Sequence, residues 1–152
     1  MAPAPDATHD AWVAAITAAM LRRGAMIHRL AMGVAAVVFV VSIIGGGLAV
    51  RFSAATVIAS LALALACVEF YLAARVAFDA DLFDELARRD ADLAGFDGAM
   101  TAQGLLPTKK AGRPMEQRVR GALRLLKLQA GACAAQVFVA LVGGVMIVIR
   151  IV

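Results

Sequence analysis

Three long stretches almost free of charge interrupt an otherwise mixed chain, and the predicted elements follow from them. Leu30 to Val50 holds 21 residues and no charge, Phe52 to Ala74 holds 23 and one charge, Glu69, and Leu128 to Ile149 holds 22 and none. A helix needs roughly 20 apolar residues to cross a hydrocarbon core, so each stretch is long enough. Barrel strands alternate apolar and polar over about 10 residues, and these runs do not. The pattern predicts transmembrane helices over 30–50, 54–74 and 128–150, an N-terminal cytoplasmic segment over 1–29 and a cytoplasmic helical region over 75–127. Only Arg51 and its neighbours separate the first two spans, so they form an antiparallel pair. The expected fold is an all-α membrane protein: three transmembrane helices, an N-terminal amphipathic helix, and a small cytoplasmic helical loop domain between helices 2 and 3.

Outside the spans the periodicity is helical. Thr8 or Asp10 offers an N-cap, and Trp12, Ile16, Ala19 or Met20, and Ile27 recur on one apolar face. Only Gly24 offers a break, so this helix is expected to run straight into the first span. His28 then reads as a polar residue at headgroup level. In the long loop, Phe78, Leu82 and Leu86 share one face and Leu93, Phe96 and Met100 another. These predict helices over about 79–89 and 91–103, the second ended by Gly104 as a C-cap glycine. Pro114 fits the first turn of a further helix that continues into the third span.

Within the spans, small residues mark where helices meet, because they let backbones approach closely in lipid. Ser42 and Gly46 form such a pair in the first span, and Ala132, Gln136, Ala140 and Gly144 make a ladder in the third. In the second span Ala55, Ala59, Ala62, Ala66, Glu69 and Ala73 follow at alternating steps of four and three. Leu61, Leu65, Val68 and Leu72 form a bulky stripe suited to lipid. Glu69 is therefore expected against another helix.

Composition agrees: 62% of the 152 residues are hydrophobic, against roughly 45–50% in a soluble domain, and the mean hydropathy is +0.85. Cys67 and Cys133 both lie in apolar runs at a spacing that matches no metal or redox motif. The first run exceeds the 7–15 residues of a signal-peptide core, so no cleavable signal is expected. Lys and Arg cluster before the first span and between the second and third, leaving Arg51 and Arg150 on the other side. The positive-inside rule then places the N-terminus and loop in the cytoplasm and the C-terminus in the periplasm of a bacterial inner membrane.

Charge also divides the loop, with net −5 over Asp79 to Asp97 and net +6 over Lys109 to Lys127. The acidic helices are expected to fold against the basic one. Arg120, Arg124 and Lys127 form a basic stripe suited to anionic lipid, at about 1 kcal/mol per base near the surface. Nucleic acid is not an expected partner, since no aromatics interleave with the bases.

The chemical motifs are few. Asp90, Asp92 and Gly95 match positions 1, 3 and 6 of a calcium loop, but Ala94 and Thr101 stand where further ligands belong; helix capping explains the acids. Gly104 to Lys110 lacks the second glycine of a phosphate-cradling loop. His9 and His28 make no metal pair, and no nucleophile stands with a base. No catalytic residue, cofactor or metal is expected. The candidate functional residues are Glu69, an ionisable group within a span, and Gln136 at similar depth. Arg124, Lys127 or Gln129 are the partners expected for Glu69. The functional expectation is a non-catalytic subunit or scaffold of a larger membrane complex, in contact with lipid and with other subunits or further copies of itself. The alternative is a homo-oligomeric small transporter or channel that uses Glu69.

Overall fold

The computed structural model describes residues 7–46, 54–89, 92–107 and 111–151, and all its regular elements are α-helices. They are α1 (Ala7–Arg22), α2 (Gly24–Gly46), α3 (Ala54–Arg88), α4 (Leu93–Ala102) and α5 (Met115–Ile151). The stretches Thr8–Ile44, Thr56–Arg88 and Met115–Met146 are long and apolar enough to cross a membrane. At 1.5 Å per residue, α3 and α5 are roughly 50–55 Å long, well beyond the ~30 Å of a hydrocarbon core. The turn between α2 and α3, with Arg51, lies outside the described residues, as do Asp90 and Lys109–Lys110.

Two helix boundaries differ from the sequence reading. No break separates the second span from the loop, because Ala54 to Arg88 contains neither glycine nor proline, and charged side chains alone do not end a helix. Conversely, α1 does not run unbroken into α2. Arg23 interrupts them, its N–H bonding the Met20 carbonyl three residues back at 3.1 Å. Gly24, a poor helix former, follows directly.

The chain forms two compact units. One, here the charged unit, comprises Met1–Arg23 and Arg75–Leu125; the other, the apolar unit, comprises Gly24–Ala74 and Leu126–Val152.

In the charged unit, α1 buries Ala14, Thr17, Ala18 and Leu21, α3 buries Val76, Ala80, Phe83 and Leu86, and α5 buries Met115 and Ala122. The face of α1 that sequence periodicity singled out is the exposed one: Trp12, Ile16 and Met20 are 67%, 58% and 47% accessible. Packing selects the small-residue face, which allows closer helix approach. Arg22 pairs with Asp84 at 2.9 Å, and the predicted i,i+4 pairs Asp84–Arg88 and Glu85–Arg89 both form at the surface. Exposed pairs of this kind contribute only tenths of a kcal/mol.

The connection between α4 and α5 is held more firmly. Asp92 caps α4, accepting from the Gly95 N–H at 2.9 Å. A side chain at Gly95 would meet the Asp92 carboxylate at 2.3 Å, so the capping side chain would have to move aside. Past α4, Gly104 adopts φ +70°, with the Leu105 N–H reaching back to the Met100 carbonyl at 2.9 Å. This is the left-handed C-terminal turn that glycine favours. Asp97 is buried; both its oxygens accept from Arg118 Nη2 at 2.8 Å, and Oδ2 also accepts from the Gly112 N–H at 2.7 Å. Arg118 Nε donates to the Arg113 carbonyl at 3.0 Å, and its guanidinium lies 5.6 Å from the Phe96 ring centroid. The acidic and basic halves of the loop thus meet at one buried pair. Asp92 and Asp97, acids of the calcium-like segment, are engaged in a cap and an ion pair.

In the apolar unit, α3 buries Ala62, Ala66 and Glu69, steps of four and three along the stripe expected from sequence. α5 buries Gln129, Cys133, Gln136 and Gly143, and α2 buries Gly24 and Ala31. The repeat on α5 is a heptad, the period of left-handed helix packing. Gly143 is needed for the close approach of α3, since a Cβ there would lie 2.9 Å from Ile58 Cγ2. Ala62 is fully buried whereas Leu61, on the bulky stripe, is 51% accessible. Ala62→Phe should therefore destabilise the unit by about 1–3 kcal/mol through overpacking, and Leu61→Phe should be near neutral. Equal unfolding midpoints for the two variants in detergent would show that the faces are misassigned.

Candidate functional site

The apolar unit carries a buried polar cluster at the level of Glu69. Its position follows from the helices that present it. Glu69 continues the alanine stripe of α3, so wherever Ala62 and Ala66 pack, the carboxylate is carried inward too. Its accessibility is 0%. An isolated carboxylate there carries a desolvation penalty of many kcal/mol, so its partners decide whether the arrangement is stable.

Two side chains meet it, one from each neighbouring helix. Gln129 Nε2 on α5 donates to Glu69 Oε1 at 2.8 Å, and His28 Nδ1 on α2 lies 2.9 Å from Glu69 Oε2. The His28 side chain is 31% accessible, and its ring rests on that of Phe70 at 5.8 Å between centroids, tilted by 55°. Three helices therefore contribute one polar group each to a single contact, with the carboxylate at the centre.

A second set of bonds fixes α5 on α2. Gln129 Nε2 also donates to the Gly24 carbonyl at 3.0 Å, Cys133 Sγ reaches the Ile27 carbonyl at 3.8 Å, and Gln136 Nε2 donates to the Ala31 carbonyl at 2.9 Å. Both partners advance together along the chain, so α2 and α5 are parallel. The contacts of Glu69 with Gln129 and of Ile58 with Gly143 run in opposite senses, which makes α3 antiparallel to α5. Each carbonyl on α2 belongs to helical backbone, and a carbonyl's second lone pair remains free for such a side chain. The amide oxygens of Gln129 and Gln136 are buried without a hydrogen-bond partner.

The sequence-selected residues fall into three groups. Glu69 and Gln136 are both buried in this ladder, with Ala62 and Ala66 beside Glu69 and with Ala59 and Ala140 half-buried. Ser42 and Gly144 are exposed, Ser42 bonding the Val38 carbonyl of its own helix at 2.6 Å; the side positions of Ala55 and Gly46 lie outside those described. Arg120, Arg124 and Lys127 are exposed on α5 and make no contact with Glu69. Of the three partners expected for Glu69, Gln129 is the one present. His28 was read as a headgroup residue, and its spacing from Glu69 gives no sign of the contact. Gln129 and Gln136, seven residues apart, do carry a readable signal, that of a heptad.

One further feature is geometric. Beyond Ala31, no described residue of α2 is buried, and Val37, Phe39, Val40, Val41, Ile43 and Ile44 are all exposed. Gly143, one heptad past Gln136 on α5, is still buried against α3. The outer half of α2 thus lacks the neighbours that its inner half has. Compared with known protein families, curated proteins and solved structures, the chain matches none of them.

Proposed function

We propose that the chain is a non-catalytic integral membrane protein, a subunit or scaffold component of a larger assembly in a bacterial inner membrane. The observation that carries this reading is the outer half of α2, residues 37–44, where every residue but the half-buried Val38 is exposed, beside helices that remain packed. A helix so little covered by its own bundle offers most of its surface to another helix. Ser42, exposed on this half, supplies a small residue of the kind that such a contact uses. Glu69 is meanwhile occupied by His28 and Gln129 of the same unit, which suits a structural clasp. Arg120, Arg124 and Lys127 supply contacts to anionic headgroups at the cytoplasmic surface.

A photo-crosslinking residue at Ile43, in native membranes, should give an adduct with a defined protein, identified by mass as a foreign subunit or a second copy. Adducts with lipid alone would contradict the scaffold reading. Orientation is tested separately. A reporter fused after Val152 should be periplasmic and one inserted near Pro107 cytoplasmic, and the reverse pattern would overturn the arginine-based assignment.

A second reading is favoured by one contact. His28, partly exposed, touches the fully buried Glu69, an arrangement that suits a proton- or cation-linked pathway in a homo-oligomer. Ion flux in liposomes, lost in Glu69→Gln with assembly unchanged, would favour that pathway over the scaffold.

A further inference from the structure

We infer that the groove between α2 and α5 is a binding site for one anionic glycerophospholipid, with its phosphate at Lys127 and an acyl chain along the groove. Such a site rests on the membrane reading above and narrows its headgroup contacts to a single lipid in a defined place.

The groove lies wholly within the apolar unit. Ile27 and Leu30 of α2 line one side, and Ala130, Ala134, Val137 and Leu141 of α5 line the other. Its volume is about 440 Å³, within the roughly 300–1,000 Å³ of ligand pockets. These side chains are all aliphatic. They give a hydrocarbon chain dispersion contacts and give a polar ligand nothing to bond. From Ala130 to Leu141 the α5 wall is roughly 16 Å long, at 1.5 Å per residue. That is about half of the ~30 Å hydrocarbon core, the depth of one leaflet.

Charge selects the headgroup. Lys127 stands three residues before Ala130 and seven before Ala134, on the same face of α5 and a turn nearer its N-terminal end. Helical side chains lean toward the N-terminus, and lysine lays its stem on apolar surface while its ammonium reaches the headgroups. Lys127 is exposed and makes no ion pair with any described residue. Its own unit, residues 24–74 and 126–152, has Glu69 as its one acidic side chain. Glu69 is fully buried and occupied by His28 and Gln129. A lipid phosphate is the anion that the membrane offers at this level. A free phosphate would meet the lysine but make no use of the aliphatic wall. A span of a second copy would fill the groove but bring no anion, since its own Glu69 is engaged.

The test uses the complete chain in phosphatidylcholine vesicles with a minor share of phosphatidylglycerol. A photoreactive group is carried on an acyl chain of one lipid or the other, and peptide mass spectrometry locates the adducts. In the groove, between Ala130 and Leu141, the anionic lipid should give about fivefold the yield per lipid of phosphatidylcholine, as one base near the surface supplies. Val57 and Leu61 on α3, both exposed, should show no such preference. Lys127→Gln should abolish the preference and Lys127→Arg should keep it. Ala134→Phe, at an exposed position, fills the groove while leaving the lysine, and should remove the adducts there. Equal yields from the two lipids, or a preference that survives Lys127→Gln, would overturn the site. A groove without adducts beside labelled Val57 and Leu61 would overturn it too, because protein then fills the groove, and would leave the membrane reading standing. No adducts anywhere on the chain would overturn the membrane reading as well.

Discussion

His28→Ala is expected to lower the stability of the apolar unit by about 3 kcal/mol. It removes one of the two side chains that meet the fully buried Glu69 carboxylate, and taking a partner from a buried charged group typically costs about 3–5 kcal/mol. Glu69 would keep the Gln129 N–H, which places the expectation at the lower end.

The lost hydrogen bond alone is a smaller effect, about 0.6 kcal/mol for a typical interhelical bond in a membrane protein. Unfolding titrations in mixed micelles separate the two causes. A loss below about 1 kcal/mol would mean that the buried carboxylate does not depend on His28.

Arg118→Ala should be comparably damaging in the charged unit, at about 3 kcal/mol or somewhat more. Asp97 and Arg118 have side-chain accessibilities of 10% and 13%, so truncating the arginine strands a nearly buried carboxylate. Removing one member of a buried pair typically costs about 3–5 kcal/mol. Asp97 would keep the Gly112 N–H, which places the expectation at the lower end. Arg118→Lys should fall between, since lysine restores the charge but cannot also bond the Arg113 carbonyl as the guanidinium does. Hydrogen exchange at the Gly112 amide reads the effect locally. Wild-type protection of that amide in Arg118→Ala would mean that the pair does not hold the connection.

How far these elements are legible in the sequence depends on the range of the interaction that decides each. The alanine stripe through Ala62, Ala66 and Glu69 is legible because helical periodicity on α3 alone places those residues together. Gly104 and Pro114 are likewise local, a positive φ and a fixed φ at helix ends. The sequence reading began a separate helix near Asp79 and ran α1 on into α2, and the structure differs at the two places for opposite reasons. A run of charge does not end a helix, and a single glycine can interrupt one. On α5 the face was read from small residues four apart, Ala132 to Gly144. Packed helices follow a period of 3.5, so the buried set is instead Gln129, Cys133, Gln136 and Gly143. The Trp12 face of α1 was misjudged because size and burial part company where helices pack closely. The contact of His28 with Glu69 was illegible altogether. It spans 41 residues and depends on the register of α2 against α3, which no local pattern encodes.

The double variant His28→Ala with Glu69→Gln tests the clasp most directly. With an amide at residue 69, removing His28 deletes only a hydrogen bond, so the loss from His28→Ala should shrink from about 3 kcal/mol to about 0.6 kcal/mol. The structure therefore predicts a coupling of roughly 2 kcal/mol, with the double variant more stable than His28→Ala alone. Strictly additive losses, with the double variant the least stable of the set, would contradict a clasp built on His28 and Glu69.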